Sequence, residues 1–149
     1  MPNQKIKNAK SKTFDGIKFK SLLEISVYKA LTQAGFKPKY EKQKFIIWKG
    51  FKPSVPFYNR NKRKNTFEIE KNKIRDITYT PDFTFKYKKY LIIIEAKGIE
   101  NDTFPIKKKL FRGLLETLKE KALYFEVYNK AHILKTIEII KGLWLIRKK

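Results

Sequence analysis

The stretch Tyr90-Leu91-Ile92-Ile93-Ile94-Glu95-Ala96-Lys97 decides how this chain is read. A continuous branched apolar run that ends in charge suits a strand covered on both faces, as at the centre of an α/β sheet. Immediately before it, Phe83, Phe85 and Tyr87 alternate with polar residues, and Lys88-Lys89 supply a turn. The run from Leu91 to Ile94 is far too short to span a bilayer.

On the N-terminal side, Ser21 opens an expected helix to Ala34. Its stripe is Leu23, Val27, Ala30, Leu31 and Ala34, and Gly35 is its stop. Lys39 to Lys49 reads as a partly alternating strand. Gly50 to Asn65 reads as a loop-rich insertion holding Pro53 and Pro56. Thr66 to Glu70 and Ile74 to Thr80 are expected as two strands, forming a hairpin that turns near Asn72. On the C-terminal side, a second amphipathic helix is expected over Phe104 to Lys121, with Ile106, Leu110, Leu114 and Leu118 along one side. A short strand, Tyr124 to Tyr128, and a third helix, Ala131 to Lys141, follow, and Leu143 to Ile146 closes the chain. Residues 1–20, basic and aperiodic, read as a flexible arm. That leaves 21–149 as a single domain with a basic insertion at about 50–65. The order of elements gives an α/β fold: a mixed central sheet flanked by helices.

The chain has 149 residues, of which 42% are hydrophobic and 15% aromatic, enough for a packed core and unlike a disordered segment. It has no cysteine, which excludes disulfides, thiolate zinc sites and cysteine nucleophiles. A single histidine, His132, excludes a multi-histidine metal site and reads as structural. Thirty-six Lys and Arg against fourteen Asp and Glu give a net charge of +22, the footprint of a partner for a polyanion, most simply nucleic acid. Lysine-rich composition inherited from AT-rich coding sequence would inflate that charge without removing its physical consequence. Of the basic residues, 31 are lysine and five arginine. Lysine is a mobile point charge suited to phosphates, whereas bidentate base reading favours arginine. Salt-sensitive binding with little sequence preference is expected.

Among the few acids, two stand in unusual places. Glu95 closes the most hydrophobic strand, and the strand period of two puts Lys97 on its face. Asp82 follows Pro81, whose presence points to an edge or a bulge. If the two strands are neighbours, Asp82 and Glu95 converge beside an ammonium. Such a pair is costly unless something positive sits between the carboxylates. Mg²⁺ suits them, because it takes a few hard protein oxygens and leaves its other positions to water and phosphate. Read singly, Glu95-x-Lys97 is a solvated strand end and Asp82 a turn acid.

Taken together, Pro81-Asp82, twelve residues and then Glu95-Ala96-Lys97 resemble the PD-(D/E)XK nuclease superfamily. The words Tyr79-Thr80-Pro81-Asp82-Phe83 and Glu95-Ala96-Lys97-Gly98 are similar to those of the phage endonuclease I family of junction-resolving enzymes. So is the stretch from Leu23-Glu24 through Gly35 to Tyr40-Glu41. The likeness covers about residues 20 to 128. It departs in a longer segment between Glu41 and Tyr79 and in the helix opening Pro105-Ile106-Lys107-Lys108-Lys109-Leu110-Phe111. The resemblance implies a restriction-endonuclease-like core and a metal-dependent DNA endonuclease. Asp82 and Glu95 would be metal ligands, Lys97 the catalytic lysine and Glu24 a third metal-site carboxylate. Mg²⁺ is the implied ion, with Mn²⁺ substituting. It further implies branched or Holliday-junction DNA, a homodimer, and a phage protein working in the bacterial cytoplasm; neither a nucleotide cofactor nor a membrane is expected. Glu24 has a second reading from its own surroundings, since Ser21-Leu22-Leu23-Glu24 is a capping-box pattern.

Two basic clusters are the expected DNA-binding surfaces: Lys107, Lys108, Lys109 and Arg112, on a helix that begins near the site, and Arg60, Lys62, Arg63 and Lys64 in the insertion. Either cluster alone would be an ordinary solvated face. Trp48, Phe51 and Phe57 are read as core, with stacking on unpaired bases as the alternative. Two other functions compete with a resolvase: a nicking or repair nuclease on linear DNA, and a non-catalytic nucleic-acid-binding protein on a nuclease scaffold.

Overall fold

The computed structural model describes residues 10–98 and 103–143. In chain order these form β1 (Lys12–Phe14), β2 (Ile17–Phe19), α1 (Leu22–Gln33), β3 (Lys39–Tyr40), β4 (Phe45–Trp48), β5 (Tyr58–Asn61) and β6 (Thr66–Ile69). They continue with β7 (Ile77–Tyr79), β8 (Phe83–Tyr87), β9 (Tyr90–Ala96), α2 (Phe104–Thr117), β10 (Lys121–Val127) and α3 (Lys130–Gly142). The fold is α/β around a four-stranded mixed sheet of order β10-β9-β8-β3. In it β10 runs parallel to β9, and the other pairs are antiparallel.

β9 occupies the central position expected of its branched run. Ile92 and Ile94 pack on one side with α1, α3 and the rings of Phe19, Phe83 and Phe85. Leu91 and Ile93 pack on the other with Phe104 and Phe111 of α2 and with Phe45, Ile47 and Tyr79. Alternation along the strand therefore delivers Glu95 to the α2 side of the sheet. α1 starts where Ser21 accepts the Glu24 amide, and Gly35 follows its end with a φ of +88°, a conformation glycine adopts without steric cost. In α2 the inward face is set by Phe104 and Phe111, seven residues apart. Ile106, two residues and about 200° round the helix from Phe104, is exposed rather than part of the apolar side.

α2 ends at Thr117 rather than Lys121, which opens β10, and four further expectations are corrected. Residues 12–19 are no arm. They form the β1–β2 hairpin, turning at Asp15 and Gly16, both in the left-handed region, with Phe19 fully buried in the core and the Tyr28 hydroxyl donating to Asp15. The expected strand over Lys39 to Lys49 is two strands, interrupted at Glu41, whose φ is +46°. The expected hairpin near Asn72 is displaced. β6 pairs back with β5 across a turn at Lys62 to Asn65, inside the segment read as loop, while β7 pairs with β4. Asn65, at a φ of +54°, closes that turn, and the Asn61 side chain accepts the Arg63 and Lys64 amides. Trp48, Phe51 and Phe57 are exposed rather than core. Of the closing segment Leu143 to Ile146, Leu143 is buried and the rest lies outside the described residues, as do residues 1–9. Among the described residues, no helix is long and apolar enough to cross a membrane.

Candidate active site

The site forms at a bend. β3 pairs with β8, and the same two stretches of chain then continue as β4 paired with β7, so one antiparallel ribbon passes from the sheet onto the α2 side. The join is held by the Glu41 amide donating to the Asp82 carbonyl at 2.8 Å. On one strand the left-handed Glu41 makes the turn. On the other it falls at Thr80 to Asp82, with Pro81 fully buried there and no amide proton to leave unpaired. Phe83 lies opposite Ile94, which sets Asp82 opposite Glu95 at the end of the β8–β9 ladder. The two strands are neighbours, and the two acids converge.

Each carboxylate is held from several sides. Asp82 Oδ2 accepts the Ala96 amide at 2.7 Å. Glu95 Oε2 accepts the Tyr79 hydroxyl at 2.6 Å and the Asp82 amide at 3.4 Å, and Oε1 pairs with Lys97 Nζ at 3.1 Å. That ammonium also lies 3.4 Å from the centroid of the Phe104 ring, so the first turn of α2 roofs it. The Tyr124 hydroxyl stands 3.1 Å from that of Tyr79, extending the polar chain to β10. Burial, followed by the Glu95 charge, pushes the Tyr79 phenol far above its usual range, so it stays a donor.

Asp82 and Glu95 are both buried, and one ammonium faces the pair. Burial, then the Glu95 carboxylate, push the Asp82 carboxyl up to about 8. The Ala96 amide and Lys97 oppose this, and the Glu24 charge adds to it. Near neutral pH, Asp82 therefore tends to hold its proton while Glu95 pairs with Lys97, and a cation between the two carboxylates would favour ionising both. Among the described residues no group of three or more His, Cys, Asp or Glu side chains could hold a metal ion. Two hard carboxylates do suit a small divalent ion that keeps its remaining positions for water and phosphate.

Glu24 is held as a cap. Its amide donates to Ser21 Oγ at 3.2 Å, while its Oε2 accepts the Lys20 amide at 3.0 Å and the Tyr40 hydroxyl at 2.6 Å. The start of α3 repeats the device: Asn129 accepts the His132 amide, and His132 Nδ1 accepts the Tyr128 amide. His132 is thus structural, as expected. Glu24 is close enough for its charge to be felt at Asp82, but the structure does not join it to the pair as a third ligand.

The two basic clusters differ. Arg60 lies on β5, and Lys62, Arg63 and Lys64 form the exposed β5–β6 turn. Lys109 and Arg112 are exposed on α2, and Lys107 is half-buried. Lys108 is committed, pairing with Glu126 at 2.8 Å, and its Nζ lies 5.3 Å from the Phe104 ring centroid. Glu126 sits beside Glu95 in the parallel register. Sequence reasoning assigned no role to Tyr79, Tyr124, Phe104 or Glu126. Only for Tyr79 was a signal at hand, in the word it opens before Pro81-Asp82.

Residues 4–137 match the family described as "Protein of unknown function (DUF1064)". No curated protein and no solved structure matches the chain. The chain belongs to the DUF1064 family.

Proposed function

We propose that this DUF1064 chain is a metal-dependent DNA endonuclease of the PD-(D/E)XK kind, acting on branched DNA such as a Holliday junction. One observation carries the reading: two buried carboxylates, Asp82 and Glu95, stand opposite each other at a strand end with the Lys97 ammonium on Glu95, in a chain of charge +22. Asp82 and Glu95 would hold Mg²⁺, or Mn²⁺ in its place. Bound there, the ion would polarise the scissile phosphodiester and acidify a water.

The chain's own groups have separate tasks. Lys97, held between Glu95 and the Phe104 ring, sets a desolvated positive charge beside the phosphate, where negative charge develops in the transition state. Tyr79 fixes the Glu95 carboxylate, and the Ala96 amide fixes that of Asp82. Lys109 and Arg112 present positive charge along α2, whose first turn roofs the site. In the reaction, the water oxygen forms a bond to phosphorus and releases a proton to solvent, while one ester P–O bond breaks and the departing oxygen takes a proton from solvent. A phosphate end and a hydroxyl end remain. The resemblance adds a homodimer, since paired cuts in two strands need two sites, and action in a bacterial host's cytoplasm.

The test is cleavage of an immobile four-way junction and a duplex of equal length, by wild-type protein and Asp82→Ala, in Mg²⁺ and then EDTA. Paired cuts in the junction that need Mg²⁺ and vanish in the variant are expected. Preference for the duplex would replace the resolvase with a linear-DNA nuclease. Binding without cleavage in either Mg²⁺ or Mn²⁺ would replace the enzyme with a binding protein.

A further inference from the structure

The β5–β6 hairpin has two unlike faces, and among the described residues neither is covered. Strand pairing sets Tyr58 opposite Ile69 and Arg60 opposite Phe67, so these four residues share one face. Asn59, Asn61, Thr66 and Glu68 share the other, where Glu68 accepts from both Asn61 and Thr66. A strand pair with one polar and one apolar face normally lays the apolar face on a core. Here the rings of Tyr58 and Phe67 lie stacked on each other, 6.1 Å between centroids and 22° between planes, and are 54% and 78% exposed. Phe57, at the base of the hairpin, is exposed as well.

What could cover such a face is limited by charge. Arg60 stands within it, and Lys62, Arg63 and Lys64 crown its tip. From Gly50 to Arg75 the chain carries eight Lys or Arg against two Glu. A second copy laid on this face would bring like charges together in a protein of charge +22. A nucleic-acid strand meets both requirements. Its phosphates answer the cations, and an unstacked base answers a ring face, because every base has a π-face to stack. A continuous duplex satisfies only the first, since its bases are already stacked.

We propose that the β5–β6 hairpin is a binding site for unpaired bases of nucleic acid, with Phe67 and Tyr58 as the stacking platform and Arg60 to Lys64 as the phosphate contacts. This rests on the nucleic-acid reading above and extends it. The preferred substrate contains single-stranded or unstacked nucleotides, as at a branch point, flap or gap. The hairpin turn is fixed by the Asn61 side chain, so the platform is held before the ligand arrives.

The experiment is fluorescence anisotropy in EDTA, with an end-labelled single strand and its blunt duplex of equal length, on wild type, Phe67→Leu and Phe67→Trp. Leucine keeps the apolar bulk and removes the ring. Tryptophan keeps the ring. Loss of one stacked base lowers affinity by about 5- to 150-fold. Phe67→Leu is therefore expected to weaken single-strand binding by that factor and duplex binding less than twofold, while Phe67→Trp restores it. Equal effects on both ligands, or none on the single strand, would overturn the stacking site. So would light scattering that shows Phe67→Leu turning a dimer into a monomer, because the face would then be a subunit contact. If wild-type protein binds neither ligand, the nucleic-acid reading itself fails, which is a different result from any of these.

Discussion

The β8–β9 hairpin and the β5–β6 hairpin share a plan: two antiparallel strands, a tight basic turn, and a strand in which apolar residues, phenylalanine among them, alternate with polar ones. In the first, Phe83 and Phe85 are buried, and the strands continue into a sheet covered on both sides. In the second, Phe67 is 78% exposed, and among the described residues the strands pair only with each other. Alternation therefore specifies a strand with two faces, but only packing partners decide whether an apolar face becomes core. The acids divide in the same way. Asp82 and Glu95, on the covered hairpin, are desolvated and act on each other, whereas Glu68 on the free hairpin is solvated and bonds its neighbours. The covered hairpin can hold a chemical site. The free one can meet a large ligand.

The sharpest break between them is one substitution made twice. Phe83→Ala removes a fully buried ring and is expected to cost about 3–5 kcal/mol of stability, whereas Phe67→Ala is expected to stay within about 0.5 kcal/mol. Urea unfolding of both variants measures this, and equal losses would mean that the free hairpin is packed in solution. The next effect is on pH dependence. Burial and the Glu95 charge push the Asp82 carboxyl up from the usual carboxylate range to about 8, so its contribution is fully present below the unfolded value and is lost as pH rises through the folded one. The metal-free protein should therefore melt several degrees lower at pH 8 than at pH 5. At pH 8, Mg²⁺ should raise the melting temperature of wild type more than that of Asp82→Asn, which lacks the titrating carboxyl. A flat profile would show that the two carboxylates are not strongly coupled.

Smaller effects sharpen the contrast further. Tyr79→Phe removes a donor from the buried Glu95 carboxylate and should cost about 1–3 kcal/mol. In a nuclease it should lower turnover far more than substrate affinity, and an unchanged turnover would make Tyr79 purely structural. The least change in stability is expected from replacing Arg60, Lys62, Arg63 and Lys64 with alanine, within about 0.5 kcal/mol. The slope of log affinity against log salt should nevertheless fall by about 3–4 for duplex DNA. A slope that does not move would take this turn out of the phosphate contacts.

Much of this was legible in local sequence. Gly35 marks a helix end because the left-handed region favours glycine, and Asp15-Gly16 carried the hairpin signal that the arm reading overlooked. The split of Lys39 to Lys49 was not legible, because Glu41 takes a left-handed conformation that only the ribbon's bend requires. The dual reading of Ser21 and Glu24 could not be resolved from spacing either. A cap and a metal ligand use the same residue, and only the Lys20 amide and the Tyr40 hydroxyl show where the carboxylate points.

By itself the sequence determined the central strand, the flanking helices and the excess of cations. Each of these follows from periodicity, turn chemistry or composition over a few residues. The tertiary structure alone decided that Tyr79 and Tyr124, forty-five residues apart, complete the hydrogen-bond chain to Glu95. It alone decided that Phe104 covers Lys97, and that one basic helix lysine is spent on Glu126 while the hairpin cluster stands in solvent. Those contacts depend on strand order and on the path of the bent ribbon, and the burial that gives them their energy belongs to the assembled sheet.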